Sequence, residues 1–541
     1  MDTMDPSEDN DGTRADVAMR RTCGRVPNHR AGARAVAASF GSAVLLFGPT
    51  TALAQRWNVD AGVSSEIGWT SNAAFGQLGS AAGSGETIDV RPYIAFRGEG
   101  GRLKFSGKAS LDAVANSNRS RPNQLNPEAD LRANLEAVQR FLFIDTSLRV
   151  LQNSADPFGA SPVAGTVNAN RVTTTQALFA PVIEHSVGDL QRYRLRSENS
   201  WTHDSGANAA AAGSDSAGYF GHHSLMFEHD PRPFGWRIEA ERSETRYTGP
   251  AVLPLTDDLA RLSFNYSVGP DFTVGVRGGR ESTTYVTQQS RANIYGIDVK
   301  WQPSQHTVLT GFEEHRFFGS SWRVGFDHRT PQIALTFVSS RGVDTTPQSL
   351  AGLPATDNVA GLLDAMFTAQ YPDPIARARV VQNFIAQQGL PTSTLQPVNL
   401  LVRRLSIATT SSATIALIGV RNTLSLTGFQ ARTEDLPDSA LPASIGGTAL
   451  TNNVQYGTSL AWTHRMTRLV SLLASAEWSR IRALEGFGDD LSAEKKVLLR
   501  LNVELTPKTT SFASVRYRSL NSNTATAGHE GAVFLGLNHR F

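Results

Sequence analysis

The chain has 541 residues, 18% of them charged, with a formal net charge of +2. So even a balance gives no basic field to draw phosphate, which argues against nucleic acid as the main partner. After the N-terminal region no run of eighteen apolar residues occurs, so no helix is expected to cross a membrane, whereas alternating strands still could.

The N-terminus reads as an export signal. Arg20, Arg21, Arg25, Arg30 and Arg34 make a basic region, residues 35–49 an apolar one, and Ala52-Leu53-Ala54 a small-x-small cleavage site. The expected signal region is 1–54, with cleavage after Ala54 and passage by the general secretory route. Residues 1–18 are acidic and polar, which makes Met19 a candidate start. Cys23 is the sole cysteine, so residues 55–541 are expected to hold no disulfide, no cysteine nucleophile and no thiolate metal site.

From Trp57 onward the sequence repeats strand, loop, strand, turn. Leu262, Phe264, Tyr266 and Val268 alternate with Ser263, Asn265 and Ser267. The same period of two recurs at Phe272–Arg277, Tyr295–Trp301, Val497–Leu505 and Ala513–Arg518, in runs long enough to cross a bilayer at a tilt. Short turns are predicted at Gly98–Gly101, Gly188–Leu190, Pro231–Phe234, Gly269–Asp271, Gln302–Gln305 and Thr506–Lys508. Longer polar loops separate them at Thr70–Glu86, Asn116–Glu128, Asn153–Asn170, Asp204–Ala217 and Arg432–Asn452. Short turns on one side and long loops on the other is the asymmetry of a bacterial outer-membrane barrel, with the short side periplasmic. Tryptophans cluster near strand ends, as interfacial girdles require.

Counting strands inward from both ends, orientation agrees only if Leu401–Val420 is one strand rather than two broken at Thr409–Ser412. The total is then about 22, with 18 or 20 also admissible. The expected fold is all-β: a large antiparallel transmembrane β-barrel over 55–541 with a small helical insertion at 341–400. In that insertion Asp357 can cap one helix, with Val359, Leu362, Leu363, Met366 and Phe367 on its apolar face. Asp373 can cap a second, with Pro374 at its first position and Gly389 and Pro391 past its end. Strand parity puts this pair on the long-loop side, as a plug, a lid or a surface decoration.

The last strand alternates as well. Val533, Leu535, Leu537, His539 and Phe541 share one face, and Phe534, Gly536, Asn538 and Arg540 the other. An apolar face running to an aromatic resembles the closing strand of outer-membrane barrels, where Phe541 would be the assembly signal read by the barrel assembly machinery.

Four strings occur in order: Arg316-Phe317-Phe318-Gly319, His328-Arg329-Thr330-Pro331, Pro372-Asp373-Pro374 with Arg377, and Gly419-Val420-Arg421-Asn422-Thr423-Leu424. Together they resemble the PEP-CTERM system-associated outer-membrane β-barrel family over roughly 57–541. The resemblance implies an outer-membrane location and a link to exopolysaccharide or sorted surface proteins in bacteria with an exosortase. It supplies no catalytic motif.

Chemistry is sparse. His222-His223 with His229 and Asp230 would suggest a metal, but adjacent strand residues point to opposite faces. Glu313-Glu314-His315 falls on a strand, so it is no zincin helix. No nucleophile elbow or Ser/His/acid set stands out. The most distinctive polar set is a charge ladder: Arg192, Arg194, Arg196 and Glu198 on one strand face, Arg237, Glu239, Glu241 and Ser243 on another, Arg277, Gly279 and Glu281 on a third. Facing lipid, each charge would cost about 2–4 kcal/mol near the midplane, so a barrel forces them into the lumen. There they either rigidify the wall by pairing across strands or guide a polyanionic sugar.

The expected function is a channel, or channel accessory, for exopolysaccharide or surface-protein export. A non-conducting barrel that scaffolds an envelope assembly is the alternative, and an outer-membrane enzyme a weaker one. Expected partners are the lipid bilayer, the barrel assembly machinery and polysaccharide. No nucleic acid, cofactor or enzymatic activity is expected.

Overall fold

The computed structural model describes residues 56–541, apart from 74, 77–82, 118–122, 164–167, 169, 206–216, 248–254, 286–287, 345–405 and 437–451; within 345–405, Leu363, Phe367, Arg377, Val380 and Val381 are described. The signal region therefore lies outside the described residues.

Twenty-two strands form one sheet. In chain order they are β1 (Arg56–Thr70), β2 (Gly85–Glu99), β3 (Leu103–Asn116), β4 (Gln124–Val138), β5 (Leu142–Asn153), β6 (Val172–Val187), β7 (Gln191–Ser205), β8 (Ala217–His229), β9 (Phe234–Tyr247), β10 (Leu255–Gly269) and β11 (Phe272–Tyr285). There follow β12 (Gln288–Ser304), β13 (Thr307–Arg316), β14 (Gly319–Arg329), β15 (Ile333–Asp344), β16 (Ser406–Ile418), β17 (Asn422–Asp435), β18 (Asn453–Arg465), β19 (Val470–Ala483), β20 (Leu491–Thr506), β21 (Thr509–Ser522) and β22 (Gly528–Arg540). Each pairs antiparallel with the next, and β22 pairs with β1 from Gly62↔Arg540 to Thr70↔Ala532, closing the barrel.

The strand count and the even parity read from the sequence both hold. β16 runs unbroken through Thr409–Ser412, because the hydroxyls that interrupt its apolar pattern have partners on β15: Ser340 Oγ lies 3.1 Å from Thr410 Oγ1 and Ser339 Oγ 2.8 Å from Ser411 Oγ. The predicted short turns join strands at one end of the barrel. At the other end the loops are not uniformly long: β11–β12 and β13–β14 are joined by two residues each, 286–287 and 317–318. β4 also starts earlier than predicted, at Gln124, and β17 runs on to Asp435.

Most of the helical insertion predicted at 341–400 lies outside the described residues. Leu363, Phe367, Arg377, Val380 and Val381 have helical backbone, and Leu363 and Val381 are buried. Residues 341–344 belong to β15.

The two faces of the sheet differ as water and hydrocarbon do. All eight tryptophans point outward: Trp57, Trp236, Trp301 and Trp462 towards the short-turn end, Trp69, Trp201, Trp322 and Trp478 towards the loop end. Between Trp57 and Trp69 the rise along the barrel axis is about 30 Å, from about 3.3 Å per residue and a tilt of about 40°. In the half of each strand nearer the short turns, no Asp, Glu, Lys or Arg faces outward among the described residues; Glu313 faces outward on the loop side, opposite Trp322. Burial is inverted accordingly: Leu535 is 58% exposed on the outside while Phe534, facing in, is 3% exposed.

Aromatics on the inner face seat against glycines near the closing seam. Phe534 of β22 lies over Gly68 of β1, and Phe512 of β21 over Gly536 of β22, where a Cβ would collide with each ring. Both glycines are required by this close approach and not by their backbone angles.

Candidate functional site

The polar interior is the candidate site, and the alternation builds it. The ladder residues Arg192, Arg194, Arg196, Glu198, Arg237, Glu239, Glu241, Arg277 and Glu281 all face the lumen. Across neighbouring strands they meet carboxylates. Arg192 Nε donates to Glu228 Oε1 at 2.8 Å, and Arg237 Nε to Glu228 Oε2 at 3.0 Å. Arg194 sits 3.1 Å from Glu184. Arg196 donates to Asp145 and Glu198, both at 2.9 Å. Arg237 lies 3.8 Å from Glu239. Arg261 reaches Glu241 at 3.0 Å and Glu314 at 3.2 Å, and Arg277 reaches Asp298 at 3.1 Å and Glu314 at 3.4 Å. Arg316 holds Glu281 at 2.7 Å and Asp257 at 2.9 Å. Sequence reasoning missed Glu228, Arg261, Glu314, Arg316 and Asp298. Strand register, which supplies the cross-strand partner, was the absent signal.

Between Asp344 and Asp435 at its loop end and Arg465 at its short-turn end, one sector of the wall is free of this charge. The inward positions Thr336, Val338, Ser340, Thr410, Ser412, Thr414, Ser425, Thr427, Phe429 and Ser459 line β15–β18 with hydroxyls and small apolar groups. Thr414 Oγ1 and Thr427 Oγ1 lie 3.1 Å apart across the β16–β17 pair.

The loop end of the lumen is crossed by chain. The described part of the β5–β6 connection, residues 154–163, 168, 170 and 171, turns inward and docks on β19–β21. Phe158 and Ala160 are each 1% exposed. Phe158 packs with Ile481 and Ala483, and Ala160 with Phe75 and Leu520. Polar contacts fasten the same strap: Ser161 N donates to Glu494 Oε2 at 3.1 Å, Arg518 Nη2 to Ser161 O at 2.9 Å, and Ser522 Oγ to Phe158 O at 3.2 Å. Arg518 is itself held by Glu494 at 2.6 Å, and Arg516 by Glu530 at 3.0 Å, all four side chains being buried. The strap is braced internally by Asp156 Oδ1, which accepts from Phe158 N at 2.9 Å. Burial pushes the Asp156 carboxyl above its usual range; the Phe158 N–H opposes this and the nearby Asp490 charge adds to it.

At the short-turn end, Arg377 of the insertion lines a cavity of about 520 Å³ together with the inward-facing Arg97, Glu99, Lys104, Arg132 and Asp145. This puts at least that part of the insertion inside the lumen.

The histidine strings separate as alternation requires. His222 faces the lumen with Nδ1 2.9 Å from Ser243 Oγ, and His223 faces outward with Nδ1 2.9 Å from Ser197 Oγ. His229 stacks on Trp236 outside, and Asp230 lies in the turn that follows β8. Glu314 points inward to Arg261 and Arg277, whereas Glu313 and His315 point outward, His315 against Tyr295. Phe541 is 69% exposed, and its backbone N donates to Ala61 O at 2.8 Å.

Closure, an apolar outer belt between two tryptophan rings and an ion-paired interior together define a 22-stranded antiparallel barrel of the kind that alternates its faces between hydrocarbon and water. No protein-family model matches the chain, and no curated protein does. Among solved structures it is similar to the FrpB iron transporter from Neisseria meningitidis in apoprotein form, at 11% identity over 89% of this chain and 81% of that one, with a TM-score of 0.47. The ferric-catecholate import receptor Fiu from E. coli K12 matches at 9% identity, 89% and 82% coverage and a TM-score of 0.43. A loop L8 deletion mutant of OmpT, an outer membrane protein of Vibrio cholerae, matches at 10% identity, 90% and 100% coverage and a TM-score of 0.29. With each of these TM-scores below 0.5, the likeness assigns this chain neither a function nor a location.

Proposed function

We propose that the chain is an outer-membrane transport barrel whose passage is controlled by elements folded into its lumen. The observation that carries this reading is the paired asymmetry of one closed sheet. Outside, eight tryptophans in two rings bracket a belt with almost no charge; inside, arginines and carboxylates line the wall. Only a bilayer outside and water inside stabilise both faces at once. The β5–β6 strap at one end and Arg377 at the other narrow the route between them.

The cargo we propose is exopolysaccharide or a surface protein on its way out, as the family resemblance implies. The charge-free hydroxyl wall of β15–β18 offers hydrogen bonds to a neutral sugar chain, while on the ladder most arginines already have a carboxylate neighbour. This favours a structural role for the ladder over capture of a polyanion.

Single-channel conductance of the refolded protein in a planar bilayer tests the reading, beside a variant lacking residues 345–398. Heat-modifiable gel migration first shows that both are folded. Conductance in the intact protein, or in the deletion alone, supports a transport barrel. Silence in both, with both folded, overturns it in favour of a scaffold.

A further inference from the structure

In the lumen most arginines have a carboxylate neighbour; on the outer wall of β9–β12 two arginines do not. Arg280 Nε donates to the neutral Asn293 Oδ1 at 3.3 Å, and Arg291 Nη2 to the neutral Gln289 Oε1 at 3.4 Å. Neither has a carboxylate within 4 Å among the described residues. Arg242, beside them, meets Asp258 at 3.5 Å, with both side chains at least half exposed. The three guanidinium groups line one groove of about 760 Å³ on the outside of the barrel. Its floor is apolar: Leu195, Leu225, Ala240 and Ala260 lie side by side across β7–β10. The two alanines between bulkier neighbours make the hollow.

Height fixes what can lie there. On β9 the outward positions read Trp236, Ile238, Ala240, then Arg242; on β11 they read Val274, Val276, Gly278, then Arg280; on β12 Tyr295 is followed by Asn293 and Arg291. The arginines therefore stand where the apolar belt ends, on the side of the long loops. A charge facing lipid is tolerated at that depth and not below it.

We propose that this groove binds a phosphorylated glycolipid of the leaflet on the long-loop side, with its phosphates on Arg242, Arg280 and Arg291 and an acyl chain along Leu225, Ala240 and Ala260. Guanidinium groups bind phosphate through paired N–H donors, and two of these three lack a competing carboxylate. The inference rests on the outer-membrane reading for the leaflet, but binding itself is measurable on the folded barrel in detergent.

The experiment titrates the refolded full chain, in neutral detergent micelles, with lipid A carrying both phosphates, and reads bound lipid by native mass spectrometry. The triple variant R242Q/R280Q/R291Q should keep heat-modifiable migration and bind at least about tenfold more weakly, since tenfold is about 1.4 kcal/mol, no more than the loss of a single charged hydrogen bond. Arg246 pairs with Glu244 and lies outside the groove, so R246Q should bind as the parent does. Equal binding by parent and triple variant overturns the proposal, as does equal weakening by R246Q. Dephosphorylated lipid A binding as tightly, or phosphatidylglycerol competing on equal terms, also overturns it. Failure of the barrel to insert into phosphatidylcholine vesicles would count against the membrane reading alone, because the titration needs no bilayer.

Discussion

Phe158→Ala should release the strap from the far wall while leaving the barrel closed. The ring is 1% exposed and wedged against Ile481 and Ala483, and it contacts no strand pairing. Truncating a buried Phe to Ala costs about 3–5 kcal/mol when the cavity cannot collapse. A loop collapses more readily than a core, so about 3 kcal/mol is the better figure here. Each 1.4 kcal/mol is tenfold, so the docked-to-free ratio of the strap should fall roughly a hundred-fold. The strap's hydrogen bonds to Glu494, Arg518 and Ser522 remain and set the residual docking. Because Cys23 is the sole cysteine and precedes the barrel, Ser161→Cys provides a single reporter within it. Its labelling by a water-soluble maleimide should be slow alone and faster by one to two orders of magnitude with Phe158→Ala added (about the ratio above, less what the polar contacts retain). Single-channel current should rise in parallel. Unchanged labelling and unchanged current in a variant that still migrates as a folded barrel would refute the strap as a docked element.

Three further outcomes follow from the same geometry. Asp156 has its folded pKa raised, so the protonated form favours the docked strap; that contribution is complete below the unfolded-state value and is lost as pH rises through the folded one. Labelling at position 161, divided at each pH by the rate of a small free thiol so that thiolate ionisation cancels, should therefore quicken as pH rises above the usual aspartate range, and Asp156→Asn, which keeps the acceptor oxygen for Phe158 N, should remove that residual dependence. Glu314→Gln removes the shared partner of Arg261 and Arg277 in a site where Glu314 is 2% exposed; unfolding in detergent and urea should show a loss of about 3 kcal/mol. Phe541→Ala should leave the refolded barrel's melting almost unchanged, since the ring is largely exposed, but reduce the heat-modifiable fraction recovered from cell envelopes.

The barrel was legible because its signal is redundant. Alternation in one strand is weak, but the faces of β10, β11, β12, β20 and β22 agree, and antiparallel closure allows only an even count. That constraint united Leu401–Val420, where local reading sees Thr409–Ser412 as a break. The strap was not legible, because a loop's direction depends on what it meets. Residues 153–170 read as polar, and the lone aromatic, Phe158, was the available hint that part of it is buried. The outward arginines were missed for a related reason. Arg242, Arg280 and Arg291 belong to three strands, and only register places them together. The ladder arginines could be assigned a face from the period of two, but their partners, such as Glu314 for Arg277 and Asp145 for Arg196, lie up to 51 residues away.

The seam between β1 and β22 orders events in time. Its partners are the first and last strands of the sheet in chain order, so the cylinder cannot shut until every strand between them is in place. Up to that moment two strand edges with unsatisfied amides face outward, and such edges template aggregation. The seam is also the shortest zip near the closure: nine register pairs join β1 to β22 against fifteen joining β1 to β2. Residues 56–60 of β1 overhang the end of β22, bridged there by the 3.6 Å contact of Arg540 with Asp60. When pulled or heated, β1 should part from β22 before it parts from β2, peeling from the short-turn end.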